Sequence, residues 1–179
     1  MGSSSDSRIM HAAAEILDKF GVKHEDQIIS AHRTPSRLEE YAKHAERSGF
    51  KIIIAGAGGA AHLPGMIASH TIIPVIGVPI LVYNDKQDKK SQKHKFSAFG
   101  GLDSLLSISE MPTGSPVVTV GVNKAANAGI YAVKILGNEF ADLKKKLKQH
   151  KQDQHSSVLK ESEELKKIGL SKFVKKKFK

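Results

Sequence analysis

Three short loops hold the residue types that could do chemistry. In SAHRTP, residues 30–35, the imidazole of His32 stands beside the guanidinium of Arg33, just after Ser30. Histidine exchanges protons near neutral pH, and arginine grips a phosphate through two parallel N–H bonds. By spacing alone, such a neighbour pair is also an ordinary surface pair. In MGSSSD, residues 1–6, backbone N–H groups, the hydroxyls of Ser3 and Ser5 and the carboxyl of Asp6 gather at a helix start. A helix start suits a phosphate, because its N–H groups and dipole both favour an anion. Serine and aspartate are also ordinary helix caps, and this stretch taken by itself favours capping.

The third loop, AGAGGAAHLPGM at residues 55–66, formally fits a dinucleotide fingerprint through Gly56, Gly58 and Ala61. That fingerprint needs an acid roughly 20 residues on, at the end of the next strand. The nearest acid is Asp85, inside a lysine-rich segment, so the match is weak. The small residues Ala57 and Gly58 are better read as letting the backbone approach a flat ligand or another subunit. His62 can orient a ligand or satisfy a backbone carbonyl, and Leu63 continues that loop. A metal on His32 and His62 would need a third ligand, and no compact His, Asp or Glu spacing supplies one.

These loops must be held by regular elements. Residues 7–20 read as a helix with Ile9, Met10, Ala13, Ile16, Leu17 and Phe20 on one face and Gly21 as its stop. QIISA, 27–31, is a strand candidate, and Thr34-Pro35 caps and opens a helix that ends near Gly49. KIIIA, 51–55, is a β-branched strand, and a short helix follows the third loop to about Ser69. PVIGV, 74–78, and PVVTV, 116–120, are further strands, a helix follows Gly101, and Ala125 opens a long helix running into a basic tail.

Strands apolar along their whole length belong to a parallel sheet covered on both faces. The expected fold is therefore α/β, a three-layer doubly wound parallel sheet of the flavodoxin or Rossmann kind with a C-terminal helical extension. Ligands of such sheets bind beyond the carboxyl ends of the strands, where all three loops fall. The loop at 2–6 opens a helix without a strand before it, so the first strand is expected to be lacking.

Composition narrows the classes. The chain has 179 residues, 40% of them hydrophobic, which suits one globular domain. No cysteine is present, which excludes disulfides, thiolate catalysis and cysteine-bound metals. The formal charge of +10 invites a nucleic-acid reading, but the excess lies mostly in 86–95 and 144–179. It reads as an insertion and a tail on a more neutral domain, with neither nucleic acid nor membrane as partner.

Taken in order, MGSSSD, SAHRTP, AGAGGAAHLPGM, PVIGVP (74–79), GLDSLLSI (101–108), MPTGSPV (111–117) and NKAANAGIYAVKILG (123–137) resemble the PurE family. Within it, SAHRTP with GGAAHLPG resembles the class I N5-carboxyaminoimidazole ribonucleotide mutases. The resemblance implies an enzyme of de novo purine biosynthesis that moves a carboxyl group from N5 to C4 of an aminoimidazole ribonucleotide. It makes His32 the proton-transfer residue and puts Ser3, Asp6 and Arg33 on the ribose and phosphate. Ser5 and Ser30 would line the same pocket, with Ala57, Gly58, His62 and Leu63 in the wall against the imidazole and the transient CO2. It implies no cofactor, a homo-octamer, and a functional link to an ATP-dependent synthase of the unstable substrate. The expected compartment is cytoplasmic, or an organelle if the amino terminus is incomplete.

Four departures from the family pattern shape the expected boundaries. Met1 stands where an upstream strand would end, so it is expected to be an internal methionine of a truncated gene model. Residues 80–99 replace a short loop, with a solvated lysine-rich insertion at about 82–98. Thr113 stands where arginine is frequent. The basic tail 144–179, with Ile168, Leu170, Phe173, Val174 and Phe178, allows an amphipathic helix, leaving 1–143 as the catalytic domain. The rival readings are an aminoimidazole ribonucleotide carboxylase that uses free CO2, a dinucleotide-dependent oxidoreductase built on residues 56–61, and a degenerate domain kept for binding or assembly.

Overall fold

The computed structural model of the chain describes residues 1–82 and 99–178. The lysine-rich segment from residue 83 to 98 lies outside the described residues.

After a 3-10 turn at Ser4–Asp6, the first unit runs α1 (Ser7–Phe20), α2 (Pro35–Arg47), β1 (Ile53–Gly58), α3 (Leu63–Ala68), β2 (Val75–Ile80), α4 (Leu102–Ser109), β3 (Val118–Thr119) and α5 (Ala125–Leu136). The strands lie in the order β1-β2-β3, all parallel, with register from Ile53↔Val75 to Gly58↔Ile80. Alternate side chains of a strand point to opposite faces, and both faces of this sheet are covered. Ile53, Ala55, Ala57 and Val75 pack with Leu38 of α2, Leu63 and Ile67 of α3 and Ile108 of α4. Ile76, Val78 and Ile80 pack instead with Met10 and Ala13 of α1 and Ala125, Ala128 and Ala132 of α5. This makes the three-layer α/β arrangement expected of strands with no polar side.

Local signals set the helix ends. Gly21 closes α1 at φ 72°, a left-handed conformation that costs glycine little, and its N–H donates to Asp18 and Leu17 carbonyls. Pro35 opens α2 after Thr34. Between α1 and α5 the helices meet at Gly129, where a Cβ would stand 2.9 Å from Ile16 Cβ and 3.0 Å from Ala13 O.

Two predicted strands come out differently. Residues 27–31 join no sheet; among the described residues Ile29 N–H donates to Met1 O (2.8 Å), and the Met1 amino group donates to Gln27 O. That pairing is too short to form a ladder. The strand expected at 116–120 is regular only over two residues, because its pairing with β2 is confined to Ile76↔Val118 and Gly77↔Thr119.

Gly137–Lys179 forms a second compact unit. The helix expected from Ala125 onward is interrupted after Leu136, at Gly137, and resumes as α6 (Ala141–Ile168). A second break at Gly169 lets α7 (Leu170–Lys177) fold back, with Lys177 pairing with Glu161 at 2.6 Å and Lys176 pairing with Glu164. Leu170, Val174 and Phe178 are exposed. Among the described residues no helix is long and apolar enough to cross a membrane.

Candidate active site

The backbone of Met1–Gly2 brings the three loops together. Gly2 N–H donates to Gly56 O of β1 (3.1 Å), and Met1 O accepts from Ile29 N–H on the other side. The turn at Ser4–Asp6 and the loop at 30–35 are thereby fixed beside the carboxyl end of β1, where the chain turns through 59–62 into α3. Arg33 Nη2 donates to Gly2 O (3.3 Å), and its Nε donates to Ser30 Oγ (3.2 Å). The Ser30 hydroxyl also accepts from Arg33 N–H, and Thr34 Oγ donates to Ser30 O, so the guanidinium and imidazole leave a tightly tied loop.

At the centre, His32 Nε2 lies 2.8 Å from His62 Nδ1. The rings meet edge to face, with centroids 4.9 Å apart and planes at 79°. Both histidines are exposed, as is Arg33, so their outer edges are open to an incoming molecule. Among the described residues no three His, Asp or Glu side chains gather as a metal set would.

Ser3 and Asp6 form a capping box: Ser3 N–H donates to Asp6 Oδ2 (2.9 Å), and Ser3 Oγ accepts from Ser5 N–H. Ser5 Oγ bridges the Ser3 hydroxyl (3.1 Å) and Asp6 Oδ1 (3.4 Å). Asp6 is buried, and that loss of water pushes its carboxyl above the ordinary range, although the Ser3 N–H bond opposes the shift. Capping and ligand binding are therefore compatible here: the carboxylate is held by the helix start while Ser5 stays exposed.

The wall residues divide by what they can offer. The side chains of Ala57 and Leu63 belong to the core against α2 and α4, so they give a ligand mainly backbone. Gly58 faces the end of β2: a Cβ there would come 2.8 Å from Ile80 O and 2.6 Å from Val82 Cγ2. Strand packing thus accounts for this glycine without a dinucleotide. Asn123, not singled out from the sequence, also acts at this sheet end, where its side chain accepts from Leu81 N–H at 3.0 Å. The only local signal for it was an Asn shortly before a helix.

Fold and loops define an α/β protein whose serine, arginine and histidine side chains converge at strand carboxyl ends, as in enzymes that act on small phosphorylated molecules. Residues 1–157 match the family described as AIR carboxylase, and the chain belongs to that family. A Thermotoga maritima protein named N5-carboxyaminoimidazole ribonucleotide mutase is 49% identical over 177 residues, which is 99% of this chain and 95% of that protein. A Vigna aconitifolia protein named phosphoribosylaminoimidazole carboxylase, chloroplastic, is 48% identical over 98% of this chain, which spans 29% of that longer protein. The crystal structure of Treponema denticola PurE aligns with a TM-score of 0.73 at 22% identity, covering 95% of this chain and 96% of that one. That likeness speaks for the fold, and the sequence relatives speak for the family expected from the loop motifs.

Proposed function

We propose that this chain interconverts N5-carboxyaminoimidazole ribonucleotide and 4-carboxyaminoimidazole ribonucleotide in purine biosynthesis. The observation that carries the reading is the 2.8 Å contact of His32 with His62 beside the Arg33–Ser30 pair. It supplies one proton-exchanging ring, oriented by a second, next to groups that bind phosphate and hydroxyls.

In the proposed reaction the N5–carboxyl bond breaks, CO2 departs, and His32 gives a proton to the amine nitrogen. C4 of the imidazole, an electron-rich enamine-like carbon, then attacks CO2, and His32 takes back the C4 proton. The proton balance closes on one residue, and no cofactor is called on. Ser3, Ser5, Asp6, Ser30 and Arg33 hold ribose and phosphate, while Ala57, Gly58, His62 and Leu63 wall in the ring and the CO2. Keeping CO2 in a dry, close pocket gives it a high effective concentration at C4.

The same reading assigns 1–143 to the catalytic domain and 144–179 to a basic helical tail. It makes the protein a cytoplasmic or organellar homo-octamer, fed by an ATP-dependent synthase of its unstable substrate. Light scattering on the purified chain tests the octamer.

The test of function is turnover with purified full chain. Given N5-carboxyaminoimidazole ribonucleotide, it should form the 4-carboxy isomer without added bicarbonate. Product made only from aminoimidazole ribonucleotide and CO2 would instead select the carboxylase reaction. No turnover in either assay would leave a binding or assembly role.

A further inference from the structure

Asn123 is the one non-glycine residue with positive φ (59°) among the described residues. That conformation is disfavoured for most side chains and tolerated by asparagine. Two of its hydrogen-bonding groups, the backbone N–H and the side-chain oxygen, are used on the same short stretch. Its N–H donates to Pro79 O at 2.8 Å, and its side-chain oxygen accepts from Leu81 N–H at 3.0 Å. The residue stands just before α5, 42 positions from Leu81 in the chain, and holds β2 where it leaves the sheet.

That exit is in contact with the candidate site. Gly58, the last residue of β1, pairs with Ile80, and no side chain would fit between Gly58 and the Ile80 carbonyl or Val82. Gly58 starts the turn that carries His62 to His32. A shift of the β2 exit therefore reaches the turn through the Ile80 backbone and the Val82 side chain, which both close on Gly58.

We propose that Asn123 is a positioning residue for the carboxyl transfer: it pins the exit of β2 and, through Gly58, the wall of Ala57, Gly58, His62 and Leu63 that retains CO2. The catalytic part rests on the function proposed above; the pinning part does not. Other asparagine roles, such as capping α5, would leave the wall indifferent to its side chain.

The experiment compares full-length wild type with Asn123→Gly, which keeps the backbone conformation and loses the acceptor, and Asn123→Asp, which keeps both. Hydrogen exchange is read on peptides spanning 79–82 and 57–62, and product partition is read with N5-carboxyaminoimidazole ribonucleotide. Asn123→Gly should exchange about tenfold faster in both peptides. It should also release aminoimidazole ribonucleotide and CO2 in place of the 4-carboxy product, about tenfold more than wild type. Asn123→Asp should restore both readings. Faster exchange confined to 79–82, or an unchanged partition in an active Asn123→Gly enzyme, overturns the proposal. If wild type shows no turnover, the reaction assignment falls, and the exchange in 57–62 still decides whether Asn123 pins the wall. Should Asn123→Gly not fold, Asn123→Ser, whose oxygen is withdrawn from Leu81, is read in the same way.

Discussion

His32 Nε2 and His62 Nδ1 are 2.8 Å apart, so one ring donates to the other and their tautomers are tied. The loop at 30–35 supplies one ring and the turn after β1 supplies the other. The contact ties the two segments together.

His32→Asn should therefore abolish the proton step. A positioned general acid or base contributes about 100- to 10,000-fold, and asparagine cannot take up a proton. His62→Asn keeps a donor and an acceptor and should lose less. Decarboxylation of 4-carboxyaminoimidazole ribonucleotide, followed for both variants, checks the order; equal losses would make His62 a second proton-transfer residue.

Away from the site, Glu46 of α2 ties down the approach to β2. Its Oε1 accepts from Thr71 Oγ and from Ile72 N–H, both at 2.7 Å, and these bonds hold its carboxyl below the ordinary glutamate value of 4.5. A lowered folded-state value means the stabilisation is present above 4.5 and is lost as pH falls through the lowered value. Glu46→Gln should melt below wild type at neutral pH and converge with it in acid. Melting curves across that range check this, and a gap independent of pH would assign the effect to shape rather than charge.

What could be read from the sequence depended on how local its cause was. Helix α1 ends where Gly21 says it should, because a left-handed stop is decided within one turn. The loops carrying His32, Arg33 and His62 stood out because titratable side chains are few amid small and apolar residues. Their convergence followed from the rule that parallel sheets offer one functional end. Partner-dependent features were hidden. Residues 27–31 have strand composition, yet a strand exists only against a neighbour, and here Met1 gives the pairing. The Asn123–Leu81 bond spans 42 positions, and an Asn shortly before a helix gives no hint of its partner. The stop at 137 competes with strong helix formers on both sides, and only glycine hinted at it.

The contact of α1 with α5 supports a prediction about packing. At Gly129 a side chain would press on Ile16 Cβ at 2.9 Å and on the Ala13 carbonyl, neither of which can swing away. Gly129→Val should cost about 1–3 kcal/mol, as overpacking does, despite glycine's poor helix propensity. Urea unfolding should show a lower midpoint with an unchanged slope. A midpoint at or above that of wild type would mean that the two helices separate freely.

Asp6 should separate stability from function. Its carboxyl is buried, and desolvation raises its folded-state value above the ordinary 3.8, with the Ser3 N–H acting the other way. For a raised carboxyl the sign is the reverse of that for Glu46. Its favourable contribution is fully present below 3.8 and is lost as pH rises through the raised folded value. Asp6→Asn removes the buried charge and keeps an oxygen to accept from Ser3 N–H, so at neutral pH it should melt no lower than wild type. If Asp6 holds the ribose hydroxyls, the same change replaces a charged hydrogen bond by a neutral one. That should reduce kcat/KM by roughly 10- to 100-fold, corresponding to about 1.5–3 kcal/mol. Melting and turnover measured on one preparation decide it: stability kept and turnover lost supports the binding role, whereas stability lost with turnover kept would make Asp6 a helix cap alone.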